Sequence, residues 1–262
     1  MQGTRTGSMT DSEPHSASPV PLYTETIMIP LRDVIPSRTF PALVITLIAL
    51  NALAFLFELT LSDRQLAVFV REYGLVPATF SFQAAFTSMF LHGGWMHFLG
   101  NMLFLWIFGD NVEDRLGHGR FVAFYLLCGT VASLAHVLSE PGSLIPTIGA
   151  SGAVAGVMGA YFVLYPHSRI LTLLPLFIFW PVVELPAVLF LGLWFMLQLF
   201  SGVGTMLMAT QGAPAGGIAF WAHVAGFLSG VVFVYAFRRP ERARVEWWDD
   251  SGPRSGPRSY RA

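Results

Sequence analysis

The sequence predicts an all-α membrane protein built as a bundle of six transmembrane helices. Of the 262 residues, 54% are hydrophobic and only 12% are charged, a balance that ordinary soluble domains do not show. Six apolar runs separated by polar segments fit a chain of this length at about 20 residues per span. No internal repeat is visible, so the spans are expected to form one domain.

The two ends of the chain predict tails outside this bundle. Residues 1–37 are rich in Ser, Pro and Thr, and both they and residues 239–262 are expected to be disordered and cytoplasmic. The first 37 residues lack a compact apolar core behind a basic start, so no cleavable signal peptide is predicted. The membrane domain is therefore expected over residues 38–238.

The spans follow one another along this domain. They are predicted at residues 40–61, 93–109, 121–138, 151–165, 182–200 and 217–237. Pro166 ends the fourth span. The run 170–200 is interrupted in its first half by three prolines and Glu184, so the fifth span is expected to keep its prolines in the first turn, where they are tolerated. Residues 170–180 would then lie in the membrane interface.

Arginines predict the orientation of the bundle, because cytoplasmic loops carry an excess of basic residues. With six spans both termini share one side of the membrane, and the opposite side has only Arg64 and Arg71 close to the span ends. The side that holds both termini would carry Arg32, Arg38, Arg115, Arg120, Arg169, Arg238, Arg239, Arg242 and Arg244. Both termini are therefore expected in the cytoplasm.

This topology places four polar residues at a similar depth. The second, fourth and sixth spans all run from outside to inside, with His97 and Asn101 early in the second, Ser151 first in the fourth and His223 seventh in the sixth. All four residues fall in the outer half of the bilayer at 1.5 Å per residue. Polar groups inside a membrane need partners and are candidates for function, so a single site is predicted.

Small residues at four-residue spacing could bring these helices together. Gly152, Gly156 and Ala160 repeat along the fourth span, and Gly226 and Gly230 along the sixth. Such spacing allows close approach of two helices in lipid. Taken alone, the pattern fits plain helix packing equally well.

The residue types suit nucleophilic catalysis by a serine. Ser151 needs a base, and His223 is the well-placed candidate. The backbone N–H of Ser151 at a helix N-terminus, with His97 and Asn101 one turn apart, could donate hydrogen bonds to an oxyanion. Spans two to six hold no Asp or Glu at that depth, so a dyad is predicted. The chain has no HExxH motif for zinc, and neither a metal nor a cofactor is expected.

Together these residues resemble the rhomboid family of intramembrane serine proteases. The resemblance rests on Gly149-Ala150-Ser151-Gly152, on Ala222-His223-x2-Gly226 and on His97-x3-Asn101. Further similarity lies in the segments 90–97 and 113–117. The resemblance covers about residues 38 to 238, with the motifs in the family's order.

The resemblance implies the compact six-helix bacterial form of the fold, in the inner (cell) membrane. It also implies Ser151 as nucleophile, His223 as general base, and His97 and Asn101 as oxyanion donors with the Ser151 N–H. Single-span membrane proteins, cut in or near the bilayer, are the expected substrates and partners. Nucleic acid is not an expected partner, and the oligomeric state stays open. Glu113 and Arg115 match a structural pair of the family.

Two positions depart from the family pattern. Many members carry an aromatic residue four positions after the nucleophile, stacked against the base, whereas this chain has Ala155. The histidine must then be held by packing or by another group. The Trp-Arg pair of some members' first outer loop is also absent.

The sequence also leaves other functions and a mobile element open. The alternative function is a catalytically silent rhomboid-like protein that binds membrane helices, although such proteins typically lack the serine or the histidine. A transporter is a more distant alternative, because the chain shows neither paired charges along a span nor an inverted repeat. The glycine-rich segment 202–216 is expected to be either a lid over the site or a plain connection.

Overall fold

The computed structural model describes residues 28–175, 178–210 and 219–239. Within these residues the chain forms eight α-helices and three short strands. The helices are α1 Ala42–Glu58, α2 Asp63–Tyr73, α3 Phe82–Thr87, α4 Trp95–Leu116, α5 His118–Ser139, α6 Ser151–Leu164, α7 Ala187–Thr210 and α8 Phe220–Phe237. The strands are β1 Ile29–Asp33, β2 Arg169–Leu173 and β3 Val182–Pro186. Two 3-10 turns, Pro77–Thr79 and Ser88–Phe90, lie between α2 and α4.

The prediction of a mostly helical protein is confirmed. Each predicted span overlaps one of the helices α1, α4, α5, α6, α7 and α8. Among the described helices, three are long and apolar enough to cross a membrane: His118–Ser139, Ala187–Met208 and Phe220–Phe237. Helices α1 and α6 are apolar but shorter. Helix α4 continues past the predicted end at residue 109 to Leu116, and its last turns carry acidic residues.

The expectation of an entirely α-helical fold is wrong at one end of the bundle. Strands β1, β2 and β3 form an antiparallel sheet in that order. Residues 182–186 are strand β3 rather than the start of the fifth span, and residues 170–173 belong to β2 rather than to an interfacial segment. The prolines explain the shift, because a strand at the edge of a sheet tolerates a proline that a helix interior would not.

The predicted tails and loop also change. Residues 29–33 form β1, so the tail predicted over 1–37 is ordered at its end; residues 1–27 and 240–262 lie outside the described residues. Helix α7 extends to Thr210 through the first half of the predicted loop 202–216. The rest of that loop, residues 211–216, lies outside the described residues.

Helix α6 is the centre of the bundle. Its residues from Gly152 to Tyr161 are all buried, against α4, α5 and α8. Its closest neighbour is α8, since a Cβ added at Gly226 would overlap the carbonyl oxygen of Gly152, and one added at Gly230 would overlap that of Gly156. Glycine is thus required at these positions for the two backbones to approach as they do.

The bundle has two distinct ends. At the "serine end", the N-termini of α4, α6 and α8 lie together. At the "sheet end", the C-termini of α4 and α6 meet the sheet, and the C-terminus of α8 meets the end of α4, where the Arg239 N–H donates to the Arg115 carbonyl at 3.0 Å. There Asp33 of β1 accepts hydrogen bonds from the Tyr161 hydroxyl (2.7 Å) and the Asn111 side chain (2.9 Å). Glu113 of α4 accepts from the backbone N–H groups of Leu43 (3.0 Å) and Val44 (2.9 Å) at the start of α1. These contacts attach β1 and α1 to the central helices.

The first prediction concerns the glycine contact. Gly226→Ala should destabilise the protein by about 1–3 kcal/mol, because overpacking forces backbones apart. Gly192→Ala is the matched control: nothing lies within 4 Å of an added Cβ in α7, and alanine is favoured over glycine in a helix interior. Thermal unfolding in detergent should show a lower Tm for Gly226→Ala alone. Equal Tm values for the two variants would contradict the contact.

The second prediction concerns Asp33. Burial raises the pKa of Asp33 from 3.8 to about 6, with a further increase from the charge of Asp110, while the Tyr161 hydrogen bond opposes both effects. A raised folded-state pKa stabilises the fold most below about pH 4, and this contribution is lost as the pH rises through 6. Asp33→Asn keeps a neutral acceptor at all pH values.

The measurement for this second prediction is the Tm between pH 4 and pH 7. The Tm of the wild-type protein should fall relative to that of Asp33→Asn over this range. Glu72→Gln, which replaces an exposed carboxylate of α2, should follow the wild-type curve. Parallel Tm curves for wild type and Asp33→Asn would show that ionisation of Asp33 does not destabilise the folded protein, which would contradict the prediction.

Candidate active site

Ser151 is the first residue of α6, and the turn before it depends on glycine. Gly149 has a φ of +130°, a conformation that residues with side chains rarely adopt. Its backbone N–H donates to the Ser88 carbonyl at 2.8 Å, which fixes the loop to the 3-10 turn before α4. As a result the chain enters α6 with the Ser151 side chain towards α8.

His223 of α8 meets this serine directly. Its Nε2 atom lies 2.8 Å from the Ser151 Oγ atom, a normal hydrogen-bond distance. The two residues are 72 positions apart in sequence, and the close approach of α6 and α8 brings them together. A histidine nitrogen in contact with a serine hydroxyl can accept its proton.

Gln198 of α7 is a third member of this site that the sequence reasoning missed. Its Oε1 atom lies 2.7 Å from the His223 Nδ1 atom, and its side chain is buried. The Trp194 ring, one turn earlier in α7, lies 6.0 Å from the imidazole centroid. Ala155, the fourth residue after Ser151, is fully buried in the bundle. The signal that could have revealed Gln198 is its position as a lone polar residue in the apolar run 187–200.

His97 of α4 also lies near the serine. The Gly93 backbone N–H donates to its Nδ1 atom at 3.3 Å, so its second ring nitrogen, Nε2, carries the proton of the neutral ring. A Cβ added at Gly149 would lie 2.5 Å from this Nε2 atom and 3.7 Å from the Ser151 Oγ atom. The Nε2–H group therefore faces the space beside the serine.

Asn101 is placed less directly. One N–H of its side-chain amide donates to the His97 carbonyl at 2.9 Å, within α4, and the residue is buried. This bond ties Asn101 to the turn that carries His97. The amide has a second N–H, which this bond leaves available.

His92 and Glu58 surround the site without reaching the serine. The His92 backbone N–H donates to the Glu58 carboxylate at 3.1 Å, and its ring lies 5.1 Å from that of His97. This contact links the end of α1 to the loop before α4. In the part of the chain that the structure describes, no group of three or more His, Cys, Asp or Glu residues could hold a metal ion.

Comparison with known proteins identifies the family. A family model for the rhomboid domain matches residues 79–240, which include all the residues of this site. The chain belongs to the rhomboid family. This result confirms the resemblance drawn from the sequence motifs, and rhomboid proteins are embedded in membranes.

Individual relatives come from several kingdoms. The chain is 38% identical over 88 residues to Rhomboid protein 1, mitochondrial, of Saccharomyces cerevisiae, covering 32% of this chain and 25% of that protein. It is 42% identical over 74 residues to Rhomboid protease GluP of Bacillus subtilis, covering 28% and 14%. It is 29% identical over 148 residues to RHOMBOID-like protein 5 of Arabidopsis thaliana, covering 56% and 43%. The chain thus spans less than half the length of each of these curated relatives.

Proposed function

We propose that this rhomboid is an intramembrane serine protease that hydrolyses peptide bonds in or near the transmembrane segments of single-span membrane proteins. The observation that carries the proposal is the 2.8 Å contact between Ser151 Oγ and His223 Nε2. The rhomboid domain supports the proposal, as does the similarity to a bacterial relative named a rhomboid protease. Ser151 is the nucleophile and His223 the general base.

The reaction proceeds in two steps. His223 Nε2 takes the hydroxyl proton of Ser151 as Oγ attacks the scissile carbonyl carbon, and the resulting imidazolium gives that proton to the leaving amine. This step leaves an acyl-enzyme. A water molecule then attacks the ester carbonyl, and His223 takes one of its protons. His223 returns this proton to Ser151 Oγ as the ester C–O bond breaks, which releases the new carboxylic acid and restores the Ser151 hydroxyl.

Three donors suit the oxyanion of each tetrahedral intermediate. The Ser151 backbone N–H stands in the first turn of α6, where the helix supplies no acceptor and its dipole favours negative charge. The His97 Nε2–H faces the same space, and the second N–H of Asn101 is the third donor. Donors that are fixed before reaction stabilise developing charge without reorganisation.

The proposed membrane placement follows from helix lengths and arginines. Six helices would cross the bilayer, with the sheet end and both termini in the cytoplasm of a bacterial cell and the protein in its inner membrane. Arg32, Arg169 and Arg238 lie at the sheet end, whereas Arg64 and Arg71 lie on α2 towards the serine end. Helix α6 is about 21 Å long at 1.5 Å per residue, against a hydrocarbon thickness of about 30 Å, so its N-terminus would lie in the outer half of the bilayer when its C-terminus lies at the cytoplasmic surface. Ser151 would then act below the outer membrane surface.

The first test of this function removes the serine or the histidine. Ser151→Ala and His223→Ala should each abolish cleavage of a single-span substrate in detergent or liposomes, and the double variant should be no worse than either, since the two groups act as a unit. A fluorophosphonate should label Ser151 in the wild-type protein, and mass spectrometry of the adduct checks the position.

The matched control for these variants is Ser229→Ala. Ser229 is a buried serine on α8 that donates to the Gly226 carbonyl of its own helix at 2.7 Å, and its loss should leave cleavage intact. A well-folded wild-type protein that neither cuts substrates nor reacts with fluorophosphonates would instead support a catalytically silent rhomboid that binds membrane helices.

The second test separates oxyanion donors from helix packing. His97→Ala should lower kcat by roughly 10²–10³ with little change in KM, because the oxygen carries full negative charge only near the transition state. Asn101→Ala should lower kcat less, because one of its N–H groups serves α4 itself. His167→Ala, which replaces an exposed histidine near the sheet end, is the control and should keep the wild-type kcat. A lower Tm or a higher KM, in either case with an unchanged kcat, would show that the replaced residue serves helix packing.

A further inference from the structure

Gln198 makes a polar contact to the histidine from a helix that carries neither reacting residue. Ser151 belongs to α6 and His223 to α8, whereas Gln198 belongs to α7. Its side chain is only 5% exposed, and its Oε1 atom lies 2.7 Å from His223 Nδ1. A buried amide in an apolar helix needs a partner, and the imidazole supplies one.

This contact determines where the imidazole proton resides. An amide oxygen only accepts hydrogen bonds, so the Nδ1 atom facing it must be the donor. The neutral ring then has a lone pair at Nε2, the atom that lies 2.8 Å from the Ser151 hydroxyl. In the opposite tautomer Nε2 would carry the proton and could not accept one from the serine.

We propose that Gln198 is a positioning residue that holds His223 in the tautomer able to act as base towards Ser151. The proposal rests on the proposed protease function. It also identifies the group that holds the histidine in a chain whose residue four after the serine is Ala155 rather than an aromatic. Trp194 packs near the imidazole, but an indole ring at 6.0 Å does not select between tautomers.

The proton steps are compatible with a neutral amide. As Ser151 attacks, its proton moves to Nε2 and the ring becomes an imidazolium, while the Nδ1–H stays directed at the Gln198 oxygen. The oxygen end of the amide dipole faces the ring and stabilises the new positive charge, and no proton moves to Gln198. When Nε2 gives its proton to the leaving amine, the ring returns to the Nδ1–H tautomer, ready for the second step.

Removing the acceptor leaves the Nδ1–H group without a partner in the buried site. A buried N–H group without an acceptor costs free energy, which favours either rotation of the His223 ring or its opposite tautomer. We expect Gln198→Leu to lower kcat about tenfold, since the net worth of one such hydrogen bond is of that order. KM should change little, because Gln198 touches the base rather than the substrate.

The experiment combines kinetics with nitrogen NMR of protein labelled with ¹⁵N-histidine in detergent micelles. The His223 signals are assigned by their loss in His223→Ala, and their shifts report which ring nitrogen carries the proton. Wild type should show the proton on Nδ1, and Gln198→Leu should show a loss of this preference. Gln198→Glu keeps an acceptor oxygen of the same reach, so it should retain the Nδ1–H tautomer and rescue kcat relative to Gln198→Leu.

The control is Leu197→Ala, which changes the neighbouring, largely exposed residue of α7 and should keep both kcat and the tautomer. A proton on Nε2 in the wild-type protein would overturn the proposal whether or not the protein cleaves substrates. Equal losses of kcat in Gln198→Leu and Gln198→Glu would reduce Gln198 to a packing role. Failure of the wild type to cleave, with the Nδ1–H tautomer present, would refute the protease function and leave the hydrogen bond intact.

Discussion

The site depends on the close approach of helices α6 and α8. In lipid there is no hydrophobic force to press two apolar helices together, so contact requires surfaces that fit. Gly159, Gly226 and Gly230 supply that fit, because a methyl group added at any of them would overlap backbone atoms of the facing helix. The 2.8 Å distance between Ser151 and His223 exists only because these backbones lie so close. Packing and chemistry are therefore set by the same residues.

Much of this arrangement could be predicted from the sequence. The polar residues Ser151, His223 and His97 stand out because an apolar run makes each polar side chain conspicuous, and span direction places them at one depth. The structure brings these three side chains together, while their catalytic roles remain predictions. Asn101 was expected to converge with His97, and one of its N–H groups instead bonds within α4.

Other parts could not be predicted because the relevant signal is weak or lies in long-range pairing. The sheet was missed because residues 170–186 form part of a continuous apolar run, in which periodicity cannot separate a buried strand from a helix. Its partner β1 lies in a polar segment whose order comes from pairing with β2 and from Asp33. Gln198 is a lone polar residue in an apolar run, but the sequence does not show that it faces His223 of another helix, so its role could not be predicted.

The sheet has a consequence for the order of assembly. Strand β1 precedes the first helix, yet its partner β2 follows the fourth apolar helix, and Asp33 and Tyr161 are 128 residues apart. During synthesis β1 emerges first but has no strand to pair with until most of the bundle has been made. Contacts of such long sequence separation form slowly because a large loop must close before they contribute. The N-terminal strand can thus pair only after helices α1 to α6 have been made, so the part of the described chain that is synthesised first is fixed in place late.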